Sequence, residues 1–488
     1  MKRQRLRIRM LAFLIFALFG ALAVFGTYSV LTYGNRWFAY SRNPRVLAQK
    51  EQVTPGAILD AEGTVLAFTD GEGVRHYAED AAARRALVHV LGDGRGLVSN
   101  GVESFQISYL YGFQASLPEL VMGLLSGEAR AGDTVQLTVS APLTTALAGF
   151  FGSHASTRGK NGAAVIMNWK TGAVTALTSL PAFDPENVTG EDRASGAQPF
   201  RNRATQFLYP PGSVFMTVTA AAALAQLPRA EEVSLYCGGE ALAVGDRVLP
   251  GEDGDAHGAV DLRTGLIRNC ARMYATLAVN LGAPALQRTA GSFGFGENFL
   301  FRDLVVENSV CPGDVRDDGE LAAFGLGLSP VAATPLHLCM VASGVANGGV
   351  MMEPRLLQRV VSAAGVERLA FTPAEYRACA DPAAAALLGQ AMRGAVTGGT
   401  AWRAYVPGLP VCGQTGTAAL PDGTLCGWFV GYVDDEAMPF AIAVVVEGLD
   451  SGDTGGSTAA LIAHDAFLWM QSRTPEEAPP SENRETKE

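Results

Sequence analysis

The stretch from Tyr209 to Met216 reads Tyr-Pro-Pro-Gly-Ser-Val-Phe-Met. Two prolines and a glycine predict a rigid turn, and the alanine-rich run after them predicts a helix from Ser213 to a stop at Pro228. Unpaired N–H groups and the helix dipole stabilise negative charge at such a start, which suits a nucleophilic hydroxyl. A serine is also an ordinary N-cap, so the stretch alone does not distinguish the two roles.

A serine hydroxyl needs a nearby base before it can act as a nucleophile, and the residue three positions later lies on the same helix face. That residue is Met216, whose thioether cannot take a proton and normally fills cores. Further along, the small and hydroxyl residues of 413–417 predict a strand that a ligand backbone can approach closely. Gln414 within it offers an amide but no charge.

Bulk composition excludes several classes of protein. The chain has 488 residues, of which 48% are hydrophobic and 17% charged, so it is long enough for a large core and a smaller companion domain. Its net charge of −11, with no basic run beyond residue 9, argues against nucleic-acid binding.

The N-terminus has the pattern of a membrane anchor. Five basic residues within 1–9 precede an uncharged run, and we assign 1–9 as a cytoplasmic tail and 10–34 as a transmembrane helix. The small residues 20–23 lie inside the run, which favours an uncleaved anchor over a cleaved signal peptide. The basic flank predicts a single-pass plasma-membrane protein whose main body lies outside the cytoplasm.

The remainder divides into a predicted β-rich interaction module at 35–133, a mixed α/β body at 134–472 and a disordered tail at 473–488. Within the module, 56–67 alternates apolar strands with an acidic-glycine turn and predicts a hairpin. Within the body, strands are predicted at 163–167, 173–179, 427–433 and 439–446, with a last helix at 457–471.

The order of short motifs resembles the penicillin-binding transpeptidase family, and most closely its class B members with one membrane anchor. The matching segments follow the family's order: the hairpin at 56–67, 169–174 with 183–185, 203–215, 257–262, 334–336, 346–349, 399–400 and 414–417. They extend over roughly residues 36–470, which makes a chance similarity improbable. The resemblance implies an antiparallel sheet flanked by helices, and Ser213 at the nucleophile position.

The chain departs from this family at each of its working motifs, which are Ser-x-x-Lys, Ser-x-Asn and Lys-Thr-Gly. Met216 replaces the first lysine and Gln414 replaces the second. The triplet falls at 269–271, where Asn269 can still form hydrogen bonds and Ala271 cannot. Thr415, Gly416 and Thr417 remain as the substrate-binding strand that the family implies.

Nothing nearby in the sequence replaces the missing amines. A literal Lys170-Thr171-Gly172 lies upstream in a hairpin turn and is interpreted as structural, and no lysine occurs between Lys170 and Lys487. His257, His337 and Arg272 are substitutes in principle, although an arginine does not act as a base and a structural role is the default for each.

Seven cysteines show no metal-ligand spacing, so no metal site and no cofactor are predicted. A disulfide between Cys412 and Cys426 is an open alternative outside the cytoplasm.

The favoured hypothesis is therefore a pseudo-transpeptidase of peptidoglycan synthesis that binds or scaffolds. It would contact membrane proteins of cell-wall synthesis and, if its pocket functions, stem peptide or β-lactam. The competing hypothesis is an active D,D-transpeptidase or D,D-carboxypeptidase acylated by penicillin at Ser213. A β-lactam or muropeptide sensor is disfavoured, because nine residues before the anchor leave no room for a signalling module.

Overall fold

The computed structural model describes residues 2–38, 49–50, 52–116, 119, 121, 125, 130–245, 247–249, 256–328 and 330–473. Its strands are β1 (Val53–Thr54), β2 (Ile58–Leu59), β3 (Val65–Thr69), β4 (Arg75–Tyr77), β5 (Arg130–Ala131), β6 (Thr134–Leu137), β7 (Gly162–Asn168), β8 (Val174–Leu180), β9 (Ser234–Cys237), β10 (Leu242–Val244), β11 (Arg247–Leu249), β12 (Gly258–Asp261), β13 (Val350–Met352), β14 (Leu357–Val361), β15 (Glu367–Ala370), β16 (Glu375–Ala378), β17 (Val411–Ala419), β18 (Leu425–Val433) and β19 (Phe440–Glu447).

The α-helices are α1 (Lys2–Phe38), α2 (Ala81–Leu91), α3 (Val102–Phe105), α4 (Ile107–Leu110), α5 (Ala141–Phe150), α6 (Gly190–Ala194), α7 (Arg203–Gln206), α8 (Met216–Gln226), α9 (Leu262–Ile267), α10 (Ala271–Leu281), α11 (Ala283–Ser292), α12 (Asp318–Gly325), α13 (Pro335–Ala346), α14 (Pro382–Gly398) and α15 (Ala459–Gln471). Short 3-10 helices lie at Gly212–Phe215, Ala230–Glu232 and Trp402–Ala404.

The N-terminal helix is apolar enough to cross a membrane, as the sequence predicts. Within α1, residues Arg9–Ser29 have a mean hydropathy of 2.4 and, apart from Ser29, are not buried by the rest of the protein. At a rise of about 1.5 Å per residue, a segment of this length matches a bilayer core of about 30 Å. The orientation of the helix in a membrane stays a prediction.

The main sheet has the strand order β17-β18-β19-β7-β8, and every neighbouring pair is antiparallel. Alternate residues of β18 and β19 face opposite sides, and both sides are buried. Trp428 and Val445 join the core that contains α13, whereas Phe429 and Val444 join the core that contains α15. A sheet covered by helices on both faces explains why these strands read as continuous apolar runs. The predicted antiparallel sheet flanked by helices is confirmed.

A second sheet joins the N-terminal module to later parts of the chain. Its order is β15-β14-β6-β2-β3-β4, with β2 parallel to β6 and β14 antiparallel to β6. The hairpin at 56–67 forms β2 and β3, and the Asp60 carboxylate accepts hydrogen bonds from the N–H groups of Glu62 and Thr64 in the turn. The division at 133/134 stays a prediction, and the tail from residue 474 lies outside the described residues.

Helix α8, which follows the turn that carries Ser213, is buried on nearly all sides. Residues Met216 to Ala223 of α8 are all buried, and α10, α11 and α14 pack against it. Its alanines leave room for such close packing. The position of the first turn of α8 relative to β17 is therefore fixed by the core.

All seven cysteines are free thiols. Cys412 lies opposite Tyr432 in the β17–β18 ladder, whereas Cys426 lies opposite Ala418 near the other end. Six residues of strand separate the two positions, which is about 20 Å at the usual rise. A disulfide between them is too long to form, so that alternative is wrong.

Candidate active site

The turn before Ser213 is held from two sides. The indole N–H of Trp428 donates to the carbonyl oxygen of Pro210 at 3.0 Å, and the N–H of Gly212 donates to Gly327 O at 3.0 Å. Gly212 has φ +55°, and a Cβ there would meet the carbonyl oxygen of Thr417 at 2.9 Å. Only glycine fits this conformation and this close approach without strain, so the Pro-Pro-Gly sequence sets the position of the serine.

Ser213 lies in the 3-10 turn Gly212–Phe215, and α8 begins three residues later than the predicted helix start. It is partly exposed at the wall of a cleft of about 670 Å³. The residues that line this cleft also include Met216, Asn269, Ala271, Thr400, Thr415, Thr417, Arg247 and Asp453. The structure thus brings most of the predicted site residues to one cleft.

Met216 occupies the position one turn after Ser213. Its side chain is 1% exposed and borders the same cleft. A thioether supplies packing there but no proton acceptor for the serine hydroxyl.

Asn269 and Ala271 of the predicted triplet form another part of the cleft wall. Asn269 has the left-handed φ of +60°, and its Nδ2 donates to Thr415 O at 3.3 Å, which ties the triplet to β17. Ala271 opens α10 and lines the cleft with a methyl group. The triplet therefore keeps its hydrogen-bonding first residue and presents no polar side chain at its third.

Gln414 lies behind the cleft wall, fully buried. Its Nε2 donates to Leu266 O at 3.0 Å and to Asn269 Oδ1 at 2.8 Å. Its Oε1 is buried without a hydrogen-bond partner among the described residues. The Gln414 amide therefore donates to two oxygen atoms without carrying a charge.

The remainder of the strand keeps its hydroxyl groups. Thr415 Oγ1 lies 3.0 Å from Thr400 Oγ1, and the Thr417 hydroxyl accepts the N–H of Gly455 at 3.1 Å. At Gly416, a Cβ would meet Pro211 O at 2.7 Å, so this strand packs directly on the turn that carries Ser213.

The candidate substitutes do not line the cleft. His337 is buried between Ser309 Oγ and Phe293 O, each 2.7 Å from a ring nitrogen, and burial lowers its pKa to about 4. Arg272 donates to Glu240 O at 3.3 Å. Lys170 pairs with Glu436 at 2.9 Å in the turn between β7 and β8, which agrees with a structural role. His257 lies beside Cys237 and Cys270.

Several lining residues were not singled out as site residues from the sequence. Arg247 and Asp453 are the charged side chains among the described lining residues, and both already have partners: Arg247 pairs with Glu320 at 3.0 Å and Asp453 accepts the Ser457 hydroxyl at 3.0 Å. Thr400 belongs to the 399–400 segment that resembles the family, but the sequence does not predict it as a site residue. No local pattern marks these positions, because they reach the cleft from separate loops and strands.

Comparison with known proteins agrees with this geometry. Residues 162–468 match the family described as penicillin binding protein transpeptidase domain. The chain is 31% identical over 327 residues to peptidoglycan D,D-transpeptidase PbpA of Mycobacterium tuberculosis, a match that covers 62% of this chain and 65% of that protein. It is 27% identical over 446 residues to PbpA of Mycolicibacterium smegmatis, which covers 86% of this chain and 90% of that one.

Solved structures show the same fold. A ceftriaxone acyl-enzyme complex of penicillin-binding protein A from M. tuberculosis superposes with a TM-score of 0.78 at 26% identity, covering 86% of this chain and 99% of that one. A D,D-transpeptidase domain from Eggerthella lenta gives a TM-score of 0.71 at 26% identity, again covering 86% and 99%. Fold, motif order and family match agree, and the chain belongs to the penicillin-binding protein transpeptidase family.

Proposed function

We propose that this chain is a membrane-anchored pseudo-transpeptidase of peptidoglycan synthesis, a protein that binds or scaffolds rather than catalyses. The observation that carries the proposal is the buried thioether of Met216 one turn after Ser213. Loss of one general base typically slows a reaction by about 10²–10⁴-fold. Replacement of the second amine by Gln414 also removes a positive charge that would hold a substrate carboxylate.

The cleft itself supports a binding role. Its volume of about 670 Å³ is in the usual range for ligand pockets, and the hydroxyls of Thr415 and Thr417 remain on its wall. We expect a stem peptide ending in D-alanyl-D-alanine, or a β-lactam, to bind there without a covalent bond. Relatives are named peptidoglycan D,D-transpeptidases, which supports cell-wall synthesis as the setting.

The N-terminal half supports scaffolding. The apolar helix Arg9–Ser29 follows a basic segment, which favours a cytoplasmic N-terminus and an extracytoplasmic body. We expect this anchor and the β-rich module to contact membrane proteins of cell-wall synthesis.

Restoring the amines tests the proposal. Full-length protein in detergent carrying Met216→Lys and Gln414→Lys is incubated with a fluorescent penicillin, with Met216→Leu plus Gln414→Lys as the matched control. The double-lysine variant should label at least about tenfold faster than the control, because it alone regains a base beside Ser213. Its labelling should disappear when Ser213→Ala is added.

Absence of any gain in the double-lysine variant would mean that the pocket differs from an active one in more than two amines. Binding of a stem peptide to the unmodified chain is measured separately by calorimetry. Release of D-alanine from that peptide by the unmodified chain would contradict the proposal.

A further inference from the structure

Three potential metal ligands converge beside the cleft from distant parts of the sequence. A sulfur atom each from Cys237 and Cys270 and a ring nitrogen of His257 all lie within 4.8 Å of one another. Cys237 ends β9 and lies opposite Gly258 of β12, which places the preceding His257 next to it. Cys270 caps α10, and its N–H donates to Gly265 O at 2.7 Å.

The separation of these atoms suits a small tetrahedral ion. Zinc binds cysteine sulfur at about 2.3 Å and histidine nitrogen at about 2.0 Å, so its ligand atoms stand roughly 3.5–3.8 Å apart. Since the atoms lie within 4.8 Å of one another, the three side chains would need to approach by at most about 1.3 Å. Two sulfurs and an imidazole select zinc or another borderline-soft ion over magnesium or calcium.

Backbone N–H groups surround both sulfur atoms. Those of Gly239 and His257 donate to the sulfur of Cys237. Those of Met273 and Arg272 donate to the sulfur of Cys270. N–H donors around sulfur are the usual outer contacts of a metal thiolate.

We propose that Cys237, His257 and Cys270 bind a zinc ion. Cys270 and Cys237 are 0% and 6% exposed and His257 is partly exposed, so one tetrahedral position remains for water or an anion. Zinc binding displaces the thiol protons and joins the β9–β12 pair to the start of α10.

This zinc site would stabilise the wall of the cleft. Cys270 stands between Asn269 and Ala271, and both of these line the cleft. Asn269 has a left-handed backbone, so a fixed neighbour helps to hold it there. Zinc binding at this cluster does not depend on whether Ser213 is acylated.

Elemental analysis of the full-length protein, purified in detergent without chelators, tests the proposal. About one zinc ion per chain is expected, reduced at least tenfold in Cys237→Ser, His257→Ala and Cys270→Ala. Cys311→Ser is the matched control, since Cys311 is a partly buried thiol outside the cluster, and it should keep the metal.

A second measurement covers the case in which a ligand variant fails to fold. Chelator-treated wild-type protein is titrated with Co²⁺, and thiolate-to-cobalt charge-transfer absorption should appear and be displaced by Zn²⁺. Protein that takes up neither ion overturns the proposal, as do ligand variants with the zinc content of Cys311→Ser. A Cys237–Cys270 disulfide, identified by peptide mapping of the denatured wild-type protein, would equally overturn it.

Discussion

The amide Nε2 of Gln414 lies 2.8 Å from Asn269 Oδ1, in a fully buried contact between β17 and the start of α10. Asn269 in turn donates to Thr415 O at 3.3 Å. The two side chains join β17 to the start of α10 by neutral hydrogen bonds. This part of the cleft wall is therefore held together by uncharged groups.

Substitution of Asn269 should destabilise the protein in two ways, through its hydrogen bonds and through its backbone conformation. Asn269→Ala removes these hydrogen bonds and also places an alanine at φ +60°, so we expect a loss of about 3 kcal/mol of stability. Asn269→Gly loses the same bonds but tolerates the backbone, so it should be about 1 kcal/mol more stable than the alanine variant. Urea unfolding of the full-length protein measures both.

The matched control for this pair is Asn187→Ala, at an exposed position, which should change stability by less than about 0.5 kcal/mol. Equal stability of the glycine and alanine variants would contradict the left-handed conformation of Asn269.

The loss of the ion pair between Asp303 and Arg355 should lower the free energy of unfolding far more than the loss of a surface pair. Asp303 Oδ2 lies 2.9 Å from Arg355 Nε, the two side chains are 2% and 3% exposed, and Oδ2 also accepts the N–H groups of Leu356 and Leu357. Asp303→Asn leaves Arg355 buried without its counter-ion and should cost about 3–5 kcal/mol. The unfolding midpoint in urea reports this loss.

Glu436→Gln provides the comparison, because it breaks the more exposed pair with Lys170 and should cost at most about 1 kcal/mol. Comparable losses in Asp303→Asn and Glu436→Gln would show that the buried pair is not formed.

Acid should destabilise the protein through its buried histidines. Burial lowers the pKa of His337 and of His89 to about 4, whereas an unfolded histidine titrates near 6.5. Between those pH values the unfolded chain binds protons at these histidines that the folded chain does not bind. The stabilisation that comes from the neutral histidines is therefore present above about pH 6.5 and is lost as the pH falls towards 4. Each residue contributes about 3 kcal/mol to this loss.

His337→Gln should remove one of the two histidines whose protonation destabilises the folded protein. The variant is less stable than wild type at pH 8, because it loses the contacts with Ser309 and Phe293, and the difference in melting temperature should shrink as the pH approaches 4. A difference that stays constant across this range would mean that His337 titrates normally in the folded state.

Local sequence patterns predicted much of the architecture. The strands around 163–179 and 427–446 lie within one or two residues of β7, β8, β18 and β19, because an apolar run between turn residues has few alternatives. The hairpin at 56–67 follows from its acidic-glycine turn. Ser213, Met216, Asn269, Ala271, Thr415 and Thr417 were all predicted for the site, and all line one cleft.

Contacts between distant segments could not be predicted in this way. The second sheet pairs β6 with β14 across more than two hundred residues, and no pattern in either strand specifies its partner. The hydrogen bond from Gln414 to Asn269 and the approach of Cys237 to Cys270 depend on how separate elements pack. Helix α8 begins later than the sequence predicts, because the turn at Gly212–Phe215 has 3-10 rather than α-helical geometry.

The rate at which a fluorescent penicillin covalently labels the unmodified full-length protein shows most directly whether Ser213 has lost its base. We expect Ser213-dependent labelling to be absent, or at least about 100-fold slower than in the Met216→Lys plus Gln414→Lys variant. Rapid stoichiometric labelling of the unmodified chain that is lost in Ser213→Ala would contradict this expectation, and Asp453→Asn would then show whether the cleft carboxylate supplies the base.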